Sequence, residues 1–283
     1  MFYTNLNILF ELPLIEIKLY NFVYFIVLLS FPALAVASYF IFRKRSEKAK
    51  SIYLWCLLGV AFFATWITFI VALITDDNNQ RINFFARIPL HMCSINVILY
   101  PLFFGLRNKM PKLLKSATFG YMFFMGSVGA LAAMVISAPG DCAGDGINLL
   151  RYNVFSYWLK HGLIFILPIM FVVLGFYRPK FKDIFITVAF VFCFLVLMEG
   201  VNLLFSWLNH LIGGTENANF FYTRSSDNIP ILKDLQNLIK LELVYMFPLI
   251  FIIVPVFMIY YLPFGIIDLV KYIKTKKNKV NQA

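Results

Sequence analysis

The chain has 283 residues, 61% of them hydrophobic, 18% aromatic and 14% charged, with a formal net charge of +11. Soluble domains lie nearer half apolar and a quarter charged, so disorder, collagen-like repeats and an ordinary water-soluble globule are excluded. A mean hydropathy of +0.80 and 33 Phe point to an all-α, polytopic membrane helix bundle.

Residues 1–21 contain LNILFELPLIEIKLY, carry Glu11 and Glu16 and lack a basic start. They read as an interfacial segment on the outer surface, and not as a signal peptide. Seven stretches are then long and apolar enough to cross the hydrocarbon: 22–42, 53–75, 88–106, 116–138, 153–175, 183–207 and 241–266. Prolines fall in four of them, where neighbouring helices can satisfy the freed carbonyls. In the fourth, Gly126, Gly129, Ala130 and Ala133 recur at helical spacing and predict a close-packing face.

The connections predict an orientation. Arg43, Lys44, Arg45, Lys48 and Lys50 follow the first span, Arg107, Lys109, Lys112 and Lys115 the third, and Arg178, Lys180 and Lys182 the fifth. The tail at 267–283 is basic too. The alternate connections carry Asp76, Asp77, Asp141, Asp145, Glu216, Asp227 and Asp234. Under the positive-inside rule the C-terminus is cytoplasmic, the N-terminus outside, and the location a cell membrane. Basic residues clustered in this way orient a membrane protein; a nucleic-acid partner would need a continuous basic face. The longest connection, 208–240, lies outside on this topology and has the length of a lid or a tether.

Ionisable residues inside spans are costly and mark function by default. Arg87 and His91 fall near the outer end of the third span, with Cys93 and Asn96 below them. His161 is roughly 12 Å into the fifth at 1.5 Å per residue. Glu199 and Asn202 lie in the outer third of the sixth span, and Glu242 opens the seventh. The inner halves of these helices, such as FITVAFVFCFLVL, are almost purely apolar. One polar pocket within the outer leaflet explains this shared depth. Arg87 with His91, Cys93 with Asn96, and Glu199 with Asn202 each have a spacing that shares a helix face; His91 and Cys93 do not. His161 is therefore the first base to consider for the Cys93 thiol, with His91 second.

Of the other cysteines, Cys56 and Cys193 read as small buried hydrophobes, and Cys142 falls in an outer loop. No spacing suggests a disulfide framework, a metal site or any other cofactor.

The stretches RIPLHMCSINVILYPLFF, YWLKHGLIFILPI, FYRPKF and GGTENANFFYTR, with LELVYMFPLI and YYLPF, resemble YwaF-like seven-span bacterial membrane proteins from about residue 80 onward. The same superfamily is similar to an animal endoplasmic-reticulum protein that moves polyunsaturated acyl chains between phospholipids through an essential cysteine. That resemblance implies acyl transfer through a thioester on Cys93, with His161 as its partner and a membrane phospholipid as substrate. A lipid or lipoprotein is the implied acceptor, and a lipid hydrolase is the same chemistry with water as acceptor. In this scheme Arg87, Asn96 and Asn202 would hold phosphate or oxyanion, and Glu199 or Glu242 would orient His161. The competing reading is a proton- or cation-binding transporter, or a lipid-binding protein without catalysis, against which the apolar inner half-helices argue. Oligomeric state is not legible.

Overall fold

The computed structural model describes residues 15–75, 82–135, 146–226 and 229–280. Helix α1 (Phe22–Phe42) begins where Asn21 caps it, its side chain accepting from Tyr24 N–H. Helix α2 spans Glu47–Thr75. A four-residue turn, α3 (Phe84–Arg87), precedes α4 (Met92–Leu106). Helix α5 runs over Lys112–Val135, with a π-helical stretch at Tyr121–Gly126. Helices α6 (Tyr152–Val173) and α7 (Phe181–Leu211) follow, then a short amphipathic α8 (Pro230–Leu238) and a long α9 (Ile250–Val280) entered through a 3-10 turn at Val244–Leu249.

Among the described residues six segments are long and apolar enough to span a bilayer, and α4 is a shorter apolar helix beside them. The sequence reading made 88–106 one span. Its first four residues are not helical: Ile88 before Pro89 is extended, and Leu90 N–H closes back on Ile88 O at 2.7 Å. Steric conflict with the proline ring keeps the preceding residue out of the α region, so the helix starts afresh at Met92. At 15 residues α4 is only about 22 Å long, short of the roughly 30 Å hydrocarbon core.

Helix α6 is the hub, packing on α1, α2, α4 and α5. Its buried run from His161 to Pro168 faces helices on every side. Gly162 lets α1 approach: a Cβ there would lie 2.2 Å from the Phe31 ring. Of the predicted small residues of α5, Gly126 and Gly129 lie against Tyr100 and Met92 of α4, and α5 bonds α6 where Ser127 Oγ donates to Phe165 O at 3.0 Å and Tyr157 OH to Ala133 O at 2.7 Å. The outward sides of α1, α2, α7 and α9 expose Phe22, Phe40, Phe63, Trp207 and Phe251, as lipid contact demands. Cys56 and Cys193 lie on this exposed surface and not in the core. Cys142 lies outside the described residues.

Among the described residues the one strand pairing is a two-residue antiparallel pair of Glu16–Ile17 with Ile147–Asn148. It ties the segment before α1 to the entrance of α6, and Ile17 is fully buried.

Candidate functional site

The predicted site residues fall into three linked groups, all at the end of the bundle where α4 begins. The first surrounds Cys93. This half-buried thiol stands in the first turn of α4. Lys160 of α6 and Tyr100 and Tyr121 lie within electrostatic reach of it. Lys160 Nζ donates to Ser94 Oγ at 3.2 Å, which fixes the ammonium beside the start of α4. One turn on, Asn96 is buried and its Oδ1 accepts from Tyr121 OH at 2.8 Å. Its Nδ2 is buried with no acceptor. Tyr121 opens the π-helical stretch of α5, an irregularity frequent at functional sites.

His161 sits in the middle of this packing but is not hydrogen-bonded to Cys93. Its Nδ1 pairs with Tyr157 O at 2.8 Å, and its ring lies on the Tyr157 ring at 4.1 Å. A carbonyl can only accept, so Nδ1 carries the proton and Nε2 keeps its lone pair. His91 is not on the helix. It occupies the N-cap position of α4, exposed, with its ring 5.3 Å from Tyr222 and 5.7 Å from Phe220.

The second group holds the loop after α7. Thr223 Oγ donates to Glu199 Oε2 at 2.5 Å, and Asn202 Nδ2 donates to Thr223 Oγ at 2.8 Å and to Phe220 O at 2.9 Å. Phe220 N–H returns a bond to Asn202 Oδ1 at 2.8 Å. Arg224 Nε lies 3.6 Å from Glu199 and 3.4 Å from Glu242. Glu242 reaches it from a γ-turn, in which Val244 N–H bonds Glu242 O across Leu243 at φ +60°. Both carboxylates thus clamp the loop through Arg224 and Thr223, and His161 is oriented by Tyr157 instead.

The third group is a clasp. Arg87 makes a two-point pair with Glu216, Nε to Oε2 at 2.8 Å and Nη2 to Oε1 at 2.5 Å. Arg87 and His91 do not share a helix face, because the chain breaks at Ile88 between them. Asn83 Oδ1 collects the N–H groups of Thr215 and Glu216 and the amide of Asn209. The Arg87 guanidinium holds the Glu216 carboxyl below the usual carboxylate range.

Aromatic contacts join these groups. Phe221 packs on Phe194 at 5.3 Å, and Phe194 on Tyr121 at 6.0 Å, so the loop reaches the wall of the Cys93 site. Sequence reasoning missed Lys160, Tyr121, Thr223 and Arg224. Lys160 could have been found, since an ammonium within the apolar run YWLKHGLIF is as costly as the residues that were chosen. Tyr121, Thr223 and Arg224 gave no signal, because their roles depend on which helix they meet. Among the described residues no cluster of ligating side chains could hold a metal ion.

A bundle of six long apolar helices around a buried hub, with an apolar exterior, defines a multi-pass integral membrane protein. The TMEM164 family model matches residues 17–261, and the chain belongs to that family. No curated protein and no solved structure matches it.

Proposed function

We propose that the protein is a cysteine-dependent acyltransferase acting on membrane phospholipid, with Cys93 as nucleophile. The observation that carries this reading is the Lys160 ammonium held on Ser94 Oγ, the residue next to Cys93, with a buried, unpartnered Asn96 donor one turn along the same helix. The motif likeness to YwaF-like proteins and to a cysteine-dependent phospholipid acyltransferase points the same way.

Apolar surroundings oppose thiolate formation, and a nearby cation offsets that cost. In the proposed reaction His161 Nε2 takes the thiol proton, and Lys160 stabilises the thiolate. The sulfur attacks the ester carbonyl of a phospholipid; an S–C bond forms, and the C–O bond to the glycerol backbone breaks. The leaving alkoxide takes the proton held by His161. A hydroxyl acceptor then gives its proton to His161 and attacks the thioester, the S–C bond breaks as the product ester forms, and the released thiolate takes that proton back from His161, restoring Cys93. Asn96 Nδ2 is the donor for the oxyanion of each tetrahedral intermediate. With Glu199 and Glu242 engaged by Arg224 and Thr223, a cation path through these carboxylates has less support.

The positive-inside pattern supports an outer-leaflet site in a cell membrane, and α4 with its broken entrance would make a seventh crossing. The test is transfer of a labelled acyl chain from phospholipid to lysophospholipid in reconstituted vesicles. Cys93→Ser and His161→Ala should abolish transfer while the protein still inserts. Undiminished transfer by Cys93→Ser would overturn the reading.

A further inference from the structure

Far from Cys93, cations from two of the basic connections converge on one cavity. Lys50 from the start of α2, Arg107 at the end of α4 and Lys115 from the start of α5 line a space of about 370 Å³ with Glu47 and the Leu174–Phe176 turn. Arg107 is fixed there: Nη1 donates to Phe104 O at 2.8 Å, Nη2 donates to Ser51 Oγ at 3.0 Å, and the guanidinium lies 4.2 Å from the Phe104 ring centre. Its Nε is buried with no acceptor. Lys50 Nζ gives one bond, to Leu174 O at 3.3 Å. Among the described residues the Lys115 ammonium has no carboxylate partner; it lies 5.9 Å from the Phe119 ring centre.

Three cations face one carboxylate, Glu47, so the lining is two charges short of neutrality. Like charges drawn together by three separate elements repel, and an anion in the cavity relieves that cost. The donor set, one planar fork with free N–H groups and two point charges, suits a phosphate. Beside it, Leu102 and Leu106 on α4 and Leu113 and Leu114 on α5 are exposed, an apolar strip fit for acyl chains. Under the positive-inside rule this end meets the leaflet richest in anionic lipid.

We infer that this cavity binds a phosphate group, presented by an anionic phospholipid. The site stands about 21 Å from Cys93 along α4, from the helical rise, and it does not rest on the acyl-transfer reading.

The test uses the full-length protein in detergent micelles, titrated with dioctanoyl phosphatidylglycerol, dioctanoylglycerol or inorganic phosphate and followed by thermal stabilisation. Phosphatidylglycerol should bind saturably, with roughly tenfold weaker affinity for Lys50→Gln and again for Lys115→Gln, as loss of a charged hydrogen bond implies. Dioctanoylglycerol should be indifferent to both. Because the Lys115 ammonium makes no hydrogen bond or ion pair among the described residues, Lys115→Gln keeps the test readable should Lys50→Gln unfold. Saturable, lysine-dependent binding of inorganic phosphate without phosphatidylglycerol would keep the phosphate site and overturn the lipid source. Absence of saturable binding by either, or affinities unmoved by Lys115→Gln, would overturn the inference.

Discussion

Tyr121 OH donates to Asn96 Oδ1 at 2.8 Å, and this bond commits the Asn96 amide so that its Nδ2 is left as a buried donor without an acceptor. An unmet buried donor costs about 1–3 kcal/mol, and such groups are rare enough in folded proteins to call for a reason. In the proposed reaction a developing oxyanion beside Cys93 supplies one. Replacing both partners removes the cost along with the function: Asn96→Leu with Tyr121→Phe should leave stability within about 1 kcal/mol of wild type. The same double variant should lower acyl transfer about 100-fold or more, the loss typical of an oxyanion donor. Denaturation midpoints and transfer rates measured together check both halves.

Gly162 against Phe31 is a steric prediction. Gly162→Ala should destabilise the protein by about 1–3 kcal/mol, because the added methyl would lie 2.2 Å from the Phe31 ring and force it to shift. Phe31→Leu in the same chain should recover most of that loss, read from the melting temperature.

Arg224 holds Glu199 and Glu242 together, with Glu199 well shielded from solvent. Arg224→Ala leaves both carboxylates without their cation and should free the loop after α7. Limited proteolysis between 212 and 229 should then be at least tenfold faster, with a stability loss of about 1–3 kcal/mol for a partly buried pair. Adding Glu199→Gln should recover part of it, since the uncompensated charge is the source of the penalty.

The Arg87–Glu216 pair predicts a pH dependence. Glu216 has its folded pKa lowered, first by the hydrogen bonds from Arg87. Its contribution is therefore complete above the ordinary carboxylate range and fades as pH falls through the lowered value. Both side chains are part-exposed, so the contribution is discounted for screening to about 1 kcal/mol or less. The melting-temperature gap between wild type and Glu216→Gln should hold constant from pH 7 to about pH 5 and close below about pH 4.

Much of the bundle was legible because membrane insertion writes itself into sequence as long apolar runs, and α1, α6 and α7 lie close to their expected bounds. The third span was misread at its entrance, where hydropathy is blind to backbone geometry and Pro89 decided the outcome. The polar residues within the apolar runs were legible one by one, since charge inside such a run is visible by itself. Their partners were not visible. Glu199 and Asn202 were placed on one helix face, yet their bonds go to Thr223 and Phe220, more than 15 residues along the chain. His161 was assigned a carboxylate and instead uses the carbonyl of Tyr157 one turn earlier on its own helix. Such pairings depend on helix rotation and loop folding, which no spacing rule reports.

The most direct measurement is capture of the acyl group on the protein. Wild type and Cys93→Ser, incubated with labelled-acyl phospholipid vesicles and quenched in acid, are compared by intact mass before and after hydroxylamine. Wild type should gain one acyl mass, removable by hydroxylamine and located on the peptide containing Cys93, and Cys93→Ser should gain none. An equal adduct in Cys93→Ser, or turnover in wild type with no thioester at Cys93, would contradict the nucleophile assignment.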